Sequence, residues 1–241
     1  MRAPRNLATK VLLFFDMRKF FYIFFSFFTF YLHTSDIFCT FAAAKVLKRM
    51  THPNLYIIAG PNGAGKTTAS YTILPEMLNC INFVNADEIA RGLSPFSPDA
   101  VDVQAARIMI QRIDELLTQK ADFAIETTLA TRSYVQLVKR AQAAGYKVHL
   151  LFFCLESADQ AIQRVAQRVK EGGHNVPEDV IRRRFQLGIS NLVNLFIPVC
   201  DTVLVFNNVK TPARLIARKE NKQGAIEYID INMWNQLTQI L

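Results

Sequence analysis

The sequence predicts an α/β three-layer sandwich: a mostly parallel sheet of about five strands with helices on both faces. Three observations predict it. Short apolar runs recur near 55, 81, 122, 147 and 202, and helical periodicity fills the stretches between them. The runs at 55–59 and 150–153 are apolar without alternation, as strands covered on both faces must be. The first run opens directly into Gly60-Pro61-Asn62-Gly63-Ala64-Gly65-Lys66-Thr67, a glycine-rich turn followed by a helix start.

That turn keeps the G-x-x-x-x-G-K-S/T spacing of a P-loop. Gly60, Gly63 and Gly65 allow backbone conformations that a Cβ forbids, so successive N–H groups can converge on an anion. The helix that starts here adds unpaired N–H groups and the positive end of its dipole. Residues 60–68, which include Pro61, Asn62, Ala64 and Thr68, are therefore the expected nucleotide-binding residues. Lys66 is placed to reach the β- and γ-phosphates, and the Thr67 hydroxyl to ligate Mg²⁺. ATP and Mg²⁺ are the expected cofactors. A glycine-rich turn that matches by chance is the competing reading; a strand before and a helix after argue against it.

The elements follow in order from residue type. Residues 55–59 form the first strand, and the P-loop helix runs until Pro75 disturbs it. Residues 81–87 read as a second strand with the polar tip Asn85-Ala86-Asp87. After a loop rich in Ser and Pro, Pro98 opens a long helix to about Gln119, with Ala105, Ile108, Ile110, Ile113, Leu116 and Leu117 as its apolar positions. Residues 122–127 form the third strand, and a helix over 132–144 stops at Gly145 in the left-handed region. Residues 147–156 form the fourth strand. Ser157 and Gln160 have capping-box spacing for the next helix, which ends at Gly172-Gly173. Pro177 opens another helix to about 195, and 202–206 is the fifth strand. Residues 213–229 read as a hairpin turning near Gln223-Gly224, before a terminal helix from Ile231. Right-handed crossovers join these units into one sheet.

Residues 1–49 stand apart from this pattern. They hold eight of the 28 Lys and Arg residues, two of the 20 Asp and Glu, and 11 of the 19 Phe. Two segments are expected: a Phe-rich basic extension over 1–49, poorly packed on the remainder, and a P-loop kinase domain over 50–241 with a lid at about 160–185. Three readings of the extension compete: a signal sequence, a membrane anchor, or translation from too early a start with Met50 the initiator. The third is favoured, because an exported P-loop enzyme would meet no ATP. The longest uncharged run, 20–35, is also shorter than the ~20 residues of a spanning helix. A membrane partner therefore depends wholly on residues 1–49. From Met50 onward the chain is close to neutral, with no basic, aromatic-interleaved patch, which excludes nucleic acid as the expected partner. Cys39, Cys80, Cys154 and Cys200 are scattered, without metal-ligand spacing, and read as reduced thiols in the cytoplasm.

In open parallel sheets ligands gather at the carboxyl ends of the strands, so residues there are informative. The second strand ends at Asp87 and the third at Glu126-Thr127-Thr128. Asp87 is either a helix N-cap or a carboxylate that takes the acceptor hydroxyl's proton or holds Mg²⁺. Phosphoryl transfer also needs fixed guanidinium groups around the γ-phosphoryl oxygens. Arg164 and Arg168 lie four apart on one helix face, and Arg182-Arg183-Arg184 follow the Gly-Gly turn, a candidate lid hinge. Arg168 with one of Arg183 or Arg184 is the favoured pair; a solvated basic face accounts for the others. Asn207 and Asn208 line the adenine pocket or make a simple turn. His174 is read as a loop residue.

Gly60 to Thr68, Asn85-Ala86-Asp87 with Arg91, and Glu126-Thr127-Thr128 resemble the zeta toxin family of P-loop kinases. The stretch 164–185 resembles a branch of it, with a lid that differs from the better-defined toxins. The resemblance covers about 55–208. It implies ATP-dependent phosphorylation of a hydroxyl on UDP-N-acetylglucosamine, with Asp87 as catalytic base and Lys66 and Thr67 holding phosphates and metal; Arg168 and Arg184 are expected on the transferring group from the charge argument alone. Glu126, Thr128 and Arg91 position the sugar nucleotide in that scheme, Thr67 holds the metal, and an antitoxin is a possible partner. The alternatives are a kinase for another small molecule, or a nucleotide-dependent switch with slow ATP hydrolysis.

Overall fold

A computed structural model of the chain describes residues 52–210 and 212–239; the expectations for residues 1–49 lie outside the described residues. The chain first forms β1 (Asn54–Ala59), whose last five residues are buried, and then α1 (Lys66–Thr72). Pro75 has no N–H to continue the α-helical ladder, and α1 gives way to a wider π-turn over Ile73–Met77. β2 (Asn82–Val84) leads to α2 (Ala86–Leu93), a single 3₁₀ turn at Pro98–Val101 and the long α3 (Asp102–Gln119). The buried face of α3 is Ala105, Met109, Ile113 and Leu116. This corrects the sequence reading, because Ile108 and Ile110 are exposed and the 4–4–3 spacing through Met109 supplies the core.

β3 (Phe123–Thr127), α4 (Ser133–Ala143) and β4 (Lys147–Cys154) follow. Gly145, at φ 90, makes the expected left-handed stop after α4. α5 (Ala158–Lys170) starts as its spacing predicts: Ser157 Oγ accepts from the Gln160 N–H at 3.1 Å, and Gln160 Oε1 accepts from the Glu156 N–H at 3.1 Å. α6 (Glu178–Asn191) passes into a π-turn at Leu192–Phe196, and β5 (Thr202–Asn207) follows.

The sheet has seven strands in the order β2-β3-β1-β4-β5-β6-β7. The first five are parallel. The predicted hairpin supplies the other two, β6 (Arg214–Lys219) and β7 (Glu227–Tyr228), which join antiparallel at one edge before α7 (Ile231–Thr238). The chain leaves β1 in one direction to reach β2, and crosses β1 in the other to go from β3 to β4. Right-handed crossovers running both ways put helices on both faces and make the carboxyl end of β1 a topological switch point. Cys80, Cys154 and Cys200 are buried, and burial pushes the thiols of the last two up to about 12. No helix among the described residues is long and apolar enough to cross a membrane.

The opposite end of the sheet carries a polar network. Asp122 accepts from the Asn54 N–H at 2.8 Å, and Asn54 Oδ1 lies 3.2 Å from His149 Nε2. The His149 ring stacks on Tyr56. Burial lowers the His149 pKa from 6.5 to about 4 against the pull of Asp201 and Asp122. The folded state therefore binds fewer protons than the unfolded one, and this contribution to stability is complete above pH 6.5 and lost as pH falls towards 4. Its expected size is about 3 kcal/mol. Equilibrium denaturation of wild type and His149→Phe, which keeps an aromatic ring on Tyr56, checks this: the variant should lose less stability over that pH window.

Candidate active site

Parallel pairing sets Ala59 beside Thr127, so the loop after β1 meets the tip of β3. α1 begins at Lys66, immediately after Gly65 in the left-handed region at φ 77. This aims the first side chains of α1 at Glu126. Thr67 Oγ1 lies 2.9 and 3.1 Å from the two Glu126 oxygens and donates to that carboxylate. Asn85 Nδ2 donates to Glu126 Oε2 at 2.9 Å. Lys66 Nζ donates to the Pro61 carbonyl at 3.0 Å and stands 3.8 Å from Glu126. Three strands thus deliver four polar side chains to one point.

Burial governs the charges here. It pushes the Lys66 ammonium below the ordinary lysine value, with Glu126 and Asp87 pulling upward and Arg168 and Arg184 pushing further down. It raises the Glu126 carboxyl, with Lys66 and the hydrogen bonds from Thr67 and Asn85 opposing. A cationic lysine desolvated in this way is poised for an anion, because an incoming phosphate restores the charge balance that burial removed.

The sequence reading extends the second strand to Asp87. The strand instead stops at Val84, because Asn85 Oδ1 accepts from the N–H groups of Asp87 (2.8 Å) and Glu88 (3.3 Å) and starts α2. Asn85 is the N-cap; Asp87 is in the first turn, exposed at the rim, with its carboxylate left out of capping. It remains within electrostatic reach of Lys66, Glu126 and Tyr134. The spacing of Asn85 and Glu88 was the available signal for this cap. Tyr134, for which the sequence carries no signal, also faces this site. It is in the first turn of α4, and burial raises its phenol against a hydrogen bond with Thr127.

The arginines separate. Arg164 braces backbone: its guanidinium donates to the carbonyls of Asn208 (2.9 Å) and Val209 (2.7 Å), while Asn208 Nδ2 donates to the Ala64 carbonyl at 2.7 Å. Arg182 pairs with Asp159 at 2.6 Å, Arg183 is exposed, and Arg91 pairs with Glu88 at 2.9 Å on the exposed side of α2. Arg168 and Arg184 are the pair whose charge reaches Lys66. Arg168 Nη2 donates to the His174 carbonyl at 2.7 Å, and its buried Nε has no protein partner. His174 also reaches across to Asp99, at 3.4 Å, linking the α5–α6 turn to the turn before α3.

Among the described residues no cluster of three His, Cys, Asp or Glu side chains could hold a metal ion. Thr67 Oγ1 is a hard oxygen donor at the start of α1, which fits Mg²⁺ bound chiefly by phosphates with few protein oxygens.

Residues 40–213 match the family model described as Zeta toxin. The chain belongs to the zeta toxin family. An uncharacterized protein of Haemophilus influenzae is 30% identical to this zeta toxin family member over 126 residues, which is 52% of this chain and 88% of that one. Two solved structures share the fold. One is from the AvrRxo1-ORF1:AvrRxo1-ORF2 complex, also determined with ATP, at 18% identity and TM-score 0.66, covering 83% of this chain and 67% of that one. The other is from the PezAT chromosomal toxin–antitoxin system of Streptococcus pneumoniae, at 16% identity and TM-score 0.58, covering 84% and 95%. Family and fold together place this zeta toxin relative among ATP-dependent P-loop kinases.

Proposed function

We propose that the protein transfers the γ-phosphoryl group of ATP to a hydroxyl of a small molecule, with UDP-N-acetylglucosamine the first candidate acceptor. The observation that carries this reading is the convergence of Lys66, Thr67, Asn85 and Glu126 at the switch point, with Asp87 beside them and otherwise unengaged. The loop backbone, Lys66 and the residues through Thr68 bind the phosphates. The Thr67 hydroxyl, beside Glu126, would hold Mg²⁺, which supplies charge neutralisation across the β- and γ-phosphates.

Asp87 accepts the proton of the acceptor hydroxyl. The acceptor oxygen then forms its bond to the γ-phosphorus while the bond to the β-phosphate oxygen breaks, and ADP leaves. Arg168 and Arg184 meet the charge on the transferring group; the unpaired buried Nε of Arg168 is a donor that an anion would satisfy. Glu126, Thr128 and Arg91 bind the acceptor. The family supports the UDP-sugar, and the toxin–antitoxin origin of the PezAT structure supports a protein antitoxin as partner.

The test incubates the full chain with ATP, Mg²⁺ and UDP-N-acetylglucosamine and reads the sugar nucleotide by mass spectrometry. The expected result is a gain of one phosphoryl group, with Lys66→Ala slower by roughly 10²–10³-fold, the range seen when one preorganised electrostatic donor is removed. Consumption of ATP with the sugar unchanged would redirect the search to other hydroxyl acceptors. A wild type that binds ATP and phosphorylates no acceptor would instead favour a nucleotide-dependent switch.

A further inference from the structure

The turn between β3 and α4 is held in a costly shape by the same helix that carries Arg184. Leu129 sits in the left-handed region at φ 62, which side chains with a Cβ rarely adopt, and its side chain is fully buried. Such residues persist where their surroundings over-determine them, and they concentrate at ligand clamps. Three contacts do so here. The Leu129 N–H donates to Thr127 Oγ1 at 3.0 Å. Asn191, 4% exposed, donates from Nδ2 to the Leu129 carbonyl at 2.8 Å across 62 residues of sequence. Gly188 lies so close to the turn that a Cβ built there would stand 2.7 Å from the Thr128 carbonyl oxygen.

Arg184, Gly188 and Asn191 are spaced four and three apart, so they share one face of α6. That face runs from the neighbourhood of Lys66 to the backbone on both sides of the Thr128–Leu129 peptide. An apolar residue at 191 would fill the space, but only a donor satisfies the Leu129 carbonyl inside the core. Thr128 is therefore fixed from both sides, by β3 before it and by the clamp after it.

We propose that Asn191 and Gly188 are positioning residues for the acceptor: they set Thr128 for acceptor binding and tie that setting to the helix that presents Arg184. This rests on the kinase reading above, with Thr128 among the acceptor-binding residues. The expectation is a defect confined to the acceptor side.

The test uses the full chain as Asn191→Leu, which keeps the branched heavy-atom skeleton and removes the donor, and as Gly188→Ala, which pushes on the Thr128 carbonyl from the other contact. Each should raise the KM for UDP-N-acetylglucosamine by roughly tenfold, well within what a displacement of about 1 Å costs a positioned group. ATP affinity should stay within about twofold, and either change should add little in a Thr128→Ala background, the non-additivity expected of coupled residues. Faster hydrogen exchange at the Leu129 amide in both variants, read without acceptor, should accompany the change. If one variant fails to fold, the other carries the comparison. An active wild type whose variants keep the acceptor KM, or lose ATP affinity to the same extent, overturns this inference alone. A wild type that phosphorylates no acceptor overturns the kinase reading, and this inference with it.

Discussion

Asp87→Asn is expected to slow phosphoryl transfer by about 10²–10⁴-fold, the usual contribution of a positioned general base. Nucleotide affinity and melting temperature should stay close to wild type. The separation follows from the cap. Asn85, not Asp87, receives the first N–H groups of α2, so removing the Asp87 charge breaks no hydrogen bond that the fold uses. Single-turnover kinetics beside calorimetric ATP titration would check it. A variant with near-wild-type rate would take the proton-acceptor role away from Asp87. A variant whose main loss is ATP affinity would move it to the phosphate and metal side of the site.

Gly60→Ala is expected to be the most damaging single methyl in the P-loop. Gly60 sits at φ 142, and a Cβ there would stand 2.1 Å from the Phe153 carbonyl oxygen of β4, far inside contact distance. Relief requires β1 and β4 to part at the switch point, or the loop to turn away from the phosphates. Overpacking and backbone strain together should cost about 4 kcal/mol. For a domain of this size that is a fall of roughly 8–16 °C in Tm. ATP binding should weaken with it. Thermal unfolding with and without ATP measures both; an unchanged Tm would mean that the β4 backbone yields without resistance.

What could be read from the sequence depended on how local the cause was. The placement of Lys66 and Thr67 at the start of α1 was legible because it comes from a fixed spacing within one turn, and the cap made by Ser157 with Gln160 because capping is decided over a few residues. The hairpin after 213 was legible as a local element, but not as two more strands of the main sheet, since edge pairing with β5 spans the whole molecule. Asn85 and Asp87 are both good caps two residues apart, and only the fold chooses between them. Arg164 and Arg168 share a helix face and look alike in sequence. Carbonyls some 44 residues downstream claim Arg164, and none of that is visible in periodicity. Asn191 left no signal, because its partner is a strained carbonyl brought to it by the docking of α6.

Arg164 and Asn208 also bear on how the molecule comes into being. The phosphate loop is stitched at Ala64 to Asn208, which is stitched in turn to Arg164, so its geometry depends on residues 144 positions downstream. A ribosome releases the chain from its N-terminus, and β1 with its loop emerges long before β5. Until the segment around Asn208 and Val209 has left the exit tunnel, the loop lacks the contacts that shape it. A nascent chain of this protein therefore cannot set the shape of its phosphate loop until that segment has emerged and docked against it.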